Sequence, residues 1–397
     1  MSVTTRILTA CLAATLLSTG ALAPDARADD PSAGQAQVVE EGRLPALDSD
    51  DAQAIRAHAA RALAAQSAEL TPRTPSSVRP VVTRHAGSDR YATAAALALA
   101  KWRDVIWADV DGGPYPSHKV VFIASGRDFP DALSGGALAA YYGGPMLLTR
   151  PDGLPGPTTA ALAALEPDYV VVLGGTSAVS ESVERALAQY VPAPQRVVRY
   201  GGNNRYAVSV NIARDIMSSG LGRRAYVALG TNWPDGMAGA AAAGTDWAPL
   251  LLTRKDSVPA AVMSTLAQFP PEEIVLLGGP SAVSNQVVRQ LETVAPVIRV
   301  DGTDRYAVAA NAARLHPTRY GATIASGQSW PDALAGSAYA GLVGDKLLLV
   351  RSSGVPGPTQ HLVRDQSLAL IDALGGRTAV PASVLDQLRA LSIPTPG

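Results

Sequence analysis

Short apolar runs alternate with helical stretches along most of the chain, and the order of that alternation recurs. It is clearest between residues 196 and 297. Arg196 to Tyr200 predicts a strand, and Arg205 to Met217 carries apolar positions at helical spacing. Ala225 to Leu229 predicts a second strand, Gly236 to Ala243 a helix of small residues, and Leu250-Leu251-Leu252 a third strand. A helix over Ala260 to Gln268, a strand over Glu273 to Leu277 and a helix over Asn285 to Thr293 complete the unit. The strand segments show little polar alternation, as expected when both faces are covered, and alternation with helices across Gly-rich turns predicts a parallel sheet. The segments on either side repeat this order. The expected fold class is α/β, built as three tandem small modules.

Sharper motifs ride on the pattern. Gly87-Ser88-Asp89-Arg90-Tyr91, Phe129-Pro130-Asp131, Leu147-Leu148-Thr149-Arg150 and Leu173-Gly174-Gly175 come in one order. The order returns around Arg205-Tyr206, Trp233-Pro234-Asp235, Arg254 and Gly278-Gly279, and again around Arg305-Tyr306, Trp330-Pro331-Asp332, Arg351 and Gly375-Gly376. The period of about 100 residues is too long for a solenoid unit and suits a small domain. Modules are expected at 80–195, 196–297 and 298–397. The first carries an insertion at Asp109 to Ser117, read as a surface loop. In the third, Thr378-Ala379-Val380-Pro381 replaces Ser-Ala-Val-Ser, so its last helix is expected to start differently.

The amino-terminal region differs. Arg6, the apolar run Ile7 to Leu22 and Ala26-Arg27-Ala28 fit a secretory leader over residues 1–28. The run is too short and broken for a membrane span, so no transmembrane anchor is expected. The lone cysteine, Cys11, lies in that leader, which excludes disulfides and thiol catalysis from the mature chain. Residues 29–79 read as a linker with one helix between Asp50 and Leu70, whose thin stripe of Ile55, Ala59, Ala62 and Leu63 suggests a solvated spacer; the alternative is packing on the first module.

The 397 residues are apolar and turn-rich, with 17% charged, 36 Gly and 30 Pro, which argues for cores and against disorder. A net charge of -1 gives no global attraction to nucleic acid, so nucleic acid is not an expected partner. The repeated motifs all fall where a strand ends or the next helix begins. In a parallel sheet those junctions gather on the carboxyl edge, the usual ligand edge of open α/β sheets. Arg90, Arg205 and Arg305, with Arg150, Arg254 and Arg351, give each module two guanidinium groups there, suited to phosphate or carboxylate. Two readings stand side by side: an anion- or sugar-accepting edge, or Asp131, Asp235 and Asp332 capping helices or pairing with arginines to pin modules together. Tyr91, Tyr206 and Tyr306 read as packed at helix starts, with stacking on sugar the alternative. The Gly-Gly pairs meet a tight-turn requirement and lack the dinucleotide spacing. The histidines fit no metal motif, Ser125 recurs as Ser326 but is Gly230 in the middle copy, and no Gly-x-Ser-x-Gly elbow occurs. No catalytic residues, metal or cofactor are expected.

Taken together, the motifs resemble the cell wall-binding repeat 2 family of Gram-positive surface proteins, which occurs as three tandem copies. Arg84-His85-Ala86-Gly87-Ser88-Asp89-Arg90-Tyr91 fits its signature, as do Arg199 to Ala207 and Arg299 to Ala307, and Pro145-Met146-Leu147-Leu148 and Pro249-Leu250-Leu251-Leu252. The resemblance covers about residues 80–397 and implies three α/β modules about a pseudo-threefold, held non-covalently to an anionic wall polymer. That polymer is expected to be teichoic-acid-like or a secondary wall polysaccharide, with peptidoglycan as an alternative. The resemblance places the ligand near the Pro-x-Leu-Leu segment, and hence near Arg150, Arg254 and Arg351. In the third copy Asp345-Lys346 replaces Gly-Pro, which makes Lys346 a further candidate. The expected protein is a secreted, non-enzymatic wall binder. A wall hydrolase of amidase type and a protein-interaction scaffold are the other readings.

Overall fold

Each of three four-stranded sheets is entirely parallel; most strands are apolar runs buried on both faces, while the edge strand that opens each repeat is only partly buried. The computed structural model describes residues 44, 54–55, 57–59, 77–107, 118–316 and 321–394. The leader with Cys11, the loop at 109–117 and most of the linker lie outside the described residues. In chain order the strands are β1 (Ser77–Val78), β2 (Val81–His85), β3 (Val120–Ser125), β4 (Met146–Thr149), β5 (Tyr169–Leu173), β6 (Val197–Tyr200) and β7 (Arg224–Leu229). They continue with β8 (Leu250–Thr253), β9 (Glu273–Leu277), β10 (Val297–Val300), β11 (Gly321–Ser326), β12 (Lys346–Val350), β13 (Leu370–Leu374) and β14 (Ile393–Pro394).

The sheets run β4-β3-β5-β6, β8-β7-β9-β10 and β12-β11-β13-β2. Each repeat therefore builds three strands of a sheet and receives the fourth from the opening strand of the next repeat. The third sheet is completed by β2, from the start of the first repeat, so the hand-over closes into a ring. Strands β1 and β14 clasp the two ends antiparallel. One arginine on each opening strand locks the exchange. Arg199 donates to the Gly174 carbonyl at 2.8 Å, Arg299 to Gly278 at 2.7 Å and Arg84 to Gly375 at 2.5 Å.

The helices Gly135–Tyr141, Pro234–Thr245 and Pro331–Val343 pack on one another at the centre. Small residues allow it: a Cβ on Gly244 would stand 2.6 Å from the Ala140 Cβ and 3.1 Å from the Gly341 Cα. Three carboxylates sit where repeats meet. Asp215 accepts from Tyr142 and Tyr200 at 2.9 and 2.8 Å. Asp246 accepts from Tyr226 at 2.6 Å and meets Arg224 and His316 at 3.1 and 2.9 Å. Asp372 joins His85 at 2.7 Å and Lys101 at 2.8 Å, binding the third repeat to the first.

The predicted helix Asn285 to Thr293 appears as Asn285–Leu291. The last helix of the third repeat, Ala382–Arg389, begins six residues after its second glycine, as Glu181 and Asn285 do in the other repeats. Pro381 replaces the serine cap without moving the start, because its fixed φ of -58° with ψ 159° leads into the helix and its missing N–H is not needed there. The solvated-spacer reading of the linker helix is overturned for the residues described: Ile55, His58 and Ala59 are buried, and Leu44, Ile55 and Ala59 join the main core. Two apolar residues four apart suffice to seat that turn against the modules.

Candidate functional site

At the carboxyl edge of each sheet the same local structure occurs three times. The Gly after the second strand of each repeat donates to the residue before the repeated arginine: Gly126 to Thr149, Gly230 to Thr253 and Gly327 to Val350. The arginine's own N–H then closes a tight turn, from Arg150 to Gly153, Arg254 to Ser257 and Arg351 to Gly354. Asp89, Asn204 and Asp304 cap the helices that open with Arg90, Arg205 and Arg305 by accepting backbone N–H bonds.

Those arginines bond back onto the sheet edge, Arg205 and Arg305 half-buried and Arg90 exposed. Arg90, Arg205 and Arg305 donate to the carbonyls of Gly126, Gly230 and Gly327 at 2.5, 2.7 and 2.7 Å. Tyr91, Tyr206 and Tyr306 pack on the same glycines; a Cβ there would stand 2.5, 2.9 and 2.4 Å from the ring edge. Over each ring lies the second arginine. Arg150, Arg254 and Arg351 sit 5.5, 5.4 and 4.6 Å above the Tyr91, Tyr206 and Tyr306 centroids, within cation–π range. All three remain exposed. In the first repeat the platform opens on a cleft of about 510 Å³ lined by Arg90, Tyr91, Arg127, Arg150, Pro151 and Asp152.

The aspartates lie at the module seams. Asp235 and Asp332 stand in the first turns of helices whose cap positions are Trp233 and Trp330. Each carboxylate reaches toward a Gly-Gly turn of its own repeat. A Cβ on Gly174, Gly278 or Gly375 would meet the Asp131, Asp235 or Asp332 carboxylate at 3.0, 2.9 or 2.6 Å. These glycines also hold φ of +102°, +101° and +116°, which other residues adopt only under strain. The charge facing each aspartate comes from the following repeat: Arg205 for Asp131, Arg305 for Asp235 and Arg90 for Asp332. Two of these arginines also cover the neighbour's tryptophan, Arg90 over Trp330 and Arg305 over Trp233, both at 5.6 Å.

Burial pushes all three carboxyls up, and Asp332 to about 6 despite Arg90. A folded-state value above the unfolded one means the folded protein binds the proton more tightly. Ionised Asp332 thus weakens the fold above about pH 6, and the loss is relieved as pH falls toward the unfolded value near 4. Asp332→Asn is expected to raise stability at about pH 8 by on the order of 2 kcal/mol and to flatten the profile below pH 6. Thermal melts across that range check it. A variant with an unchanged profile would show that Arg90 already compensates the charge.

Lys346 is a correction to the sequence reading. It opens β12, at the amino end of the strand, is buried, and donates to the His316 carbonyl at 3.3 Å. It stands on the edge opposite Arg351, because a residue that starts a parallel strand cannot share the carboxyl edge. Sequence reading missed Arg127 and Asp152 in the first cleft, since neither recurs as a motif, and missed Asp372. Asp372 had a signal: it interrupts an apolar strand where the sibling repeats carry Val171 and Val275. Among the described residues no helix is long and apolar enough to cross a membrane.

Comparison with known proteins follows the same three-part division. The profile of a family described as Cell wall binding domain 2 (CWB2) matches residues 84–184, 199–288 and 299–385. The chain is 28% identical over 309 residues to the "Amidase enhancer" of Bacillus subtilis (strain 168), covering 78% of this chain and 40% of that protein. It is 26% identical over 309 residues to N-acetylmuramoyl-L-alanine amidase LytC of the same strain, covering 78% and 58%. It thus spans about half the length of the curated relatives it matches. Cwp6 from Clostridium difficile shares the fold with a TM-score of 0.71 and 24% identity, over 82% of this chain and 50% of that one. Cwp8 from the same organism gives 0.63 and 22%, over 77% and 51%.

Proposed function

Because the chain belongs to the cell wall binding domain 2 family, we propose that it attaches non-covalently to an anionic wall polymer through the three arginine-on-tyrosine platforms. The observation that carries this reading is the threefold recurrence of an exposed guanidinium, held on a ring by one tight turn, on the ligand edge of a parallel sheet. Guanidinium groups suit phosphate and carboxylate, so a teichoic-acid-like chain or an acidic wall polysaccharide fits. Three weak contacts on one rigid body bind a repetitive polymer far more tightly than one does. On this reading the chain itself binds and does not cleave, and its leader directs it to the outer face of the membrane. The relative named an amidase extends well beyond the matched region, and its activity is not transferred.

Co-sedimentation with purified walls, before and after acid removal of anionic polymers, tests the proposal. Retention is expected on intact walls, with loss on stripped walls and in high salt. Substituting Arg150, Arg254 and Arg351 by alanine is expected to weaken binding roughly threefold to tenfold per step. Binding indifferent to salt and to the triple substitution would refute the charge-based reading, and equal binding to stripped walls would make peptidoglycan the ligand.

A further inference from the structure

Each central helix follows an aromatic residue, Phe129, Trp233 or Trp330, and the helices meet along one stripe counted from it. The seventh residues on are Gly136, Ala240 and Ser337: a Cβ on Gly136 would run into the Ser337 hydroxyl and stand 3.2 Å from the Ala240 Cβ. The eleventh are Ala140, Gly244 and Gly341, which meet as described above. Offsets of seven and eleven share one helix face, and all three aromatics hold right-handed helical backbone. The stripe therefore begins with the three rings, at the carboxyl-edge end of the pseudo-threefold axis. Phe129 and Trp330, from different repeats, bear this out with centroids 6.1 Å apart. Each ring is half-buried. Asp128, Asn232 and Ser329, immediately before them, are exposed and give the cluster a polar rim. Arg90 joins the cluster to the first cleft, since it lines that cleft and lies over Trp330.

We propose that this axial end is a sugar-stacking site, taking one saccharide residue of the wall polymer on Phe129, Trp233 and Trp330. The proposal rests on the wall-polymer reading for the source of the sugar and adds a contact that does not depend on charge. A pyranose has an apolar C–H face and a girdle of hydroxyls, so it fits ring surface set beside hydrogen-bond donors. Both are present here. Among the described residues, neither the Trp233 nor the Trp330 indole N–H has a hydrogen-bond partner, and both reach the surface. The core residue Trp102 differs, donating to the Gly143 carbonyl at 2.8 Å. A plug that only sealed the helix ends would gain nothing from open indole N–H groups or a polar rim. Arg90 and Arg305 lie over the two indoles, each with donors beyond the one bonded to a glycine carbonyl. Those donors suit the hydroxyls of a stacked sugar or an acidic group upon it. Because Arg90 also lines the first cleft, an anionic group on the adjoining residue of the polymer enters there.

The full chain is titrated with two probes: anionic polymer fragments released from purified walls by acid, and muramidase fragments of the stripped walls. Binding is read from tryptophan emission and by calorimetry at low and physiological salt, with thermal melts of each variant. The polymer fragments are expected to change the emission of the unsubstituted chain, and Trp233→Phe with Trp330→Phe to abolish that change. Trp233→Leu with Trp330→Leu is expected to weaken binding roughly tenfold, the scale of an aromatic hot spot, and to leave its salt dependence as it was. If the leucine pair does not fold, the phenylalanine pair serves, since it keeps ring surface and removes only the N–H groups. Its expected loss is roughly threefold. An emission change produced by the muramidase fragments alone would support the sugar site and make peptidoglycan its source. Salt-sensitive binding that the substitutions leave unchanged, or an emission change that persists in the phenylalanine pair, would overturn the axial site and leave the wall-binding reading standing. Absence of binding by the unsubstituted chain to either probe would overturn both.

Discussion

Asp372→Ala is expected to destabilise the folded chain by about 3–5 kcal/mol, the range for removing one partner of a buried ion pair. The carboxylate is buried on β13, between His85 Nε2 and Lys101 Nζ. Lys101 is itself buried, 5.1 Å from the Tyr339 ring centre, so truncation strands an ammonium among apolar neighbours. The damage falls on the seam where β2 completes the third sheet. Urea denaturation of the full chain measures it, and a loss below about 1 kcal/mol would show that backbone pairing alone holds the seam. Asp372→Leu combined with Lys101→Met is expected to recover much of the loss, because apolar replacement of both partners removes the stranded charge. The acid response has the opposite sign to that of Asp332. His85 and Lys101 hold the Asp372 carboxyl below its usual range. Its contribution is therefore present above the unfolded value near 4 and disappears only as pH falls through the lower folded value.

Gly244→Leu is expected to prevent the three central helices from closing. The added Cβ alone would enter the space of Ala140 and the Gly341 backbone, and the rest of the leucine side chain adds bulk beyond it. Overpacking a dense core costs about 1–3 kcal/mol when side chains move and more when backbone must. Here Gly341 offers only backbone, and Ala140 has no rotamer to yield. The roughly 1 kcal/mol that leucine gains over glycine in helix propensity does not offset this. Gly156→Ala is the matched control, since nothing stands within 4 Å of its Cβ position. Melting temperatures of the two variants decide the matter. A Gly244→Leu protein as stable as the control would mean the helices slide apart without penalty.

The regular elements were legible because most strands are apolar runs too short for a helix and many of the helices begin at a repeated motif. The predicted strand Glu273 to Leu277 and helix Ala260 to Gln268 have the observed bounds. The strand exchange was not legible. Val197–Tyr200 reads identically whether it joins the sheet before it or the one after, since apolar alternation carries no address. Parts of the edge were visible as recurring Arg, Tyr and Asp, but recurrence does not say which arginine bonds back onto the sheet. Arg205 and Arg254 are equally repeated; only the fold shows one bonded to the Gly230 carbonyl and the other lying on Tyr206. The Asp372 seam escaped for the opposite reason, because reading by repeats discounts a residue present once.

The ring of exchanged strands also bears on how the molecule is made. During synthesis β2 emerges before most of its own repeat, yet its partner β13 lies nearly three hundred residues downstream, as the pairing of His85 with Leu374 shows. Until then it is a strand with an open edge, the kind of segment that invites pairing with another chain or capture by a chaperone. The first and second sheets complete as soon as the opening strand of the following repeat appears. The third waits for the return of the beginning of the chain, a contact of high sequence separation and correspondingly slow closure. Refolding should therefore show two sheets formed early and a late phase in which the nascent end comes home.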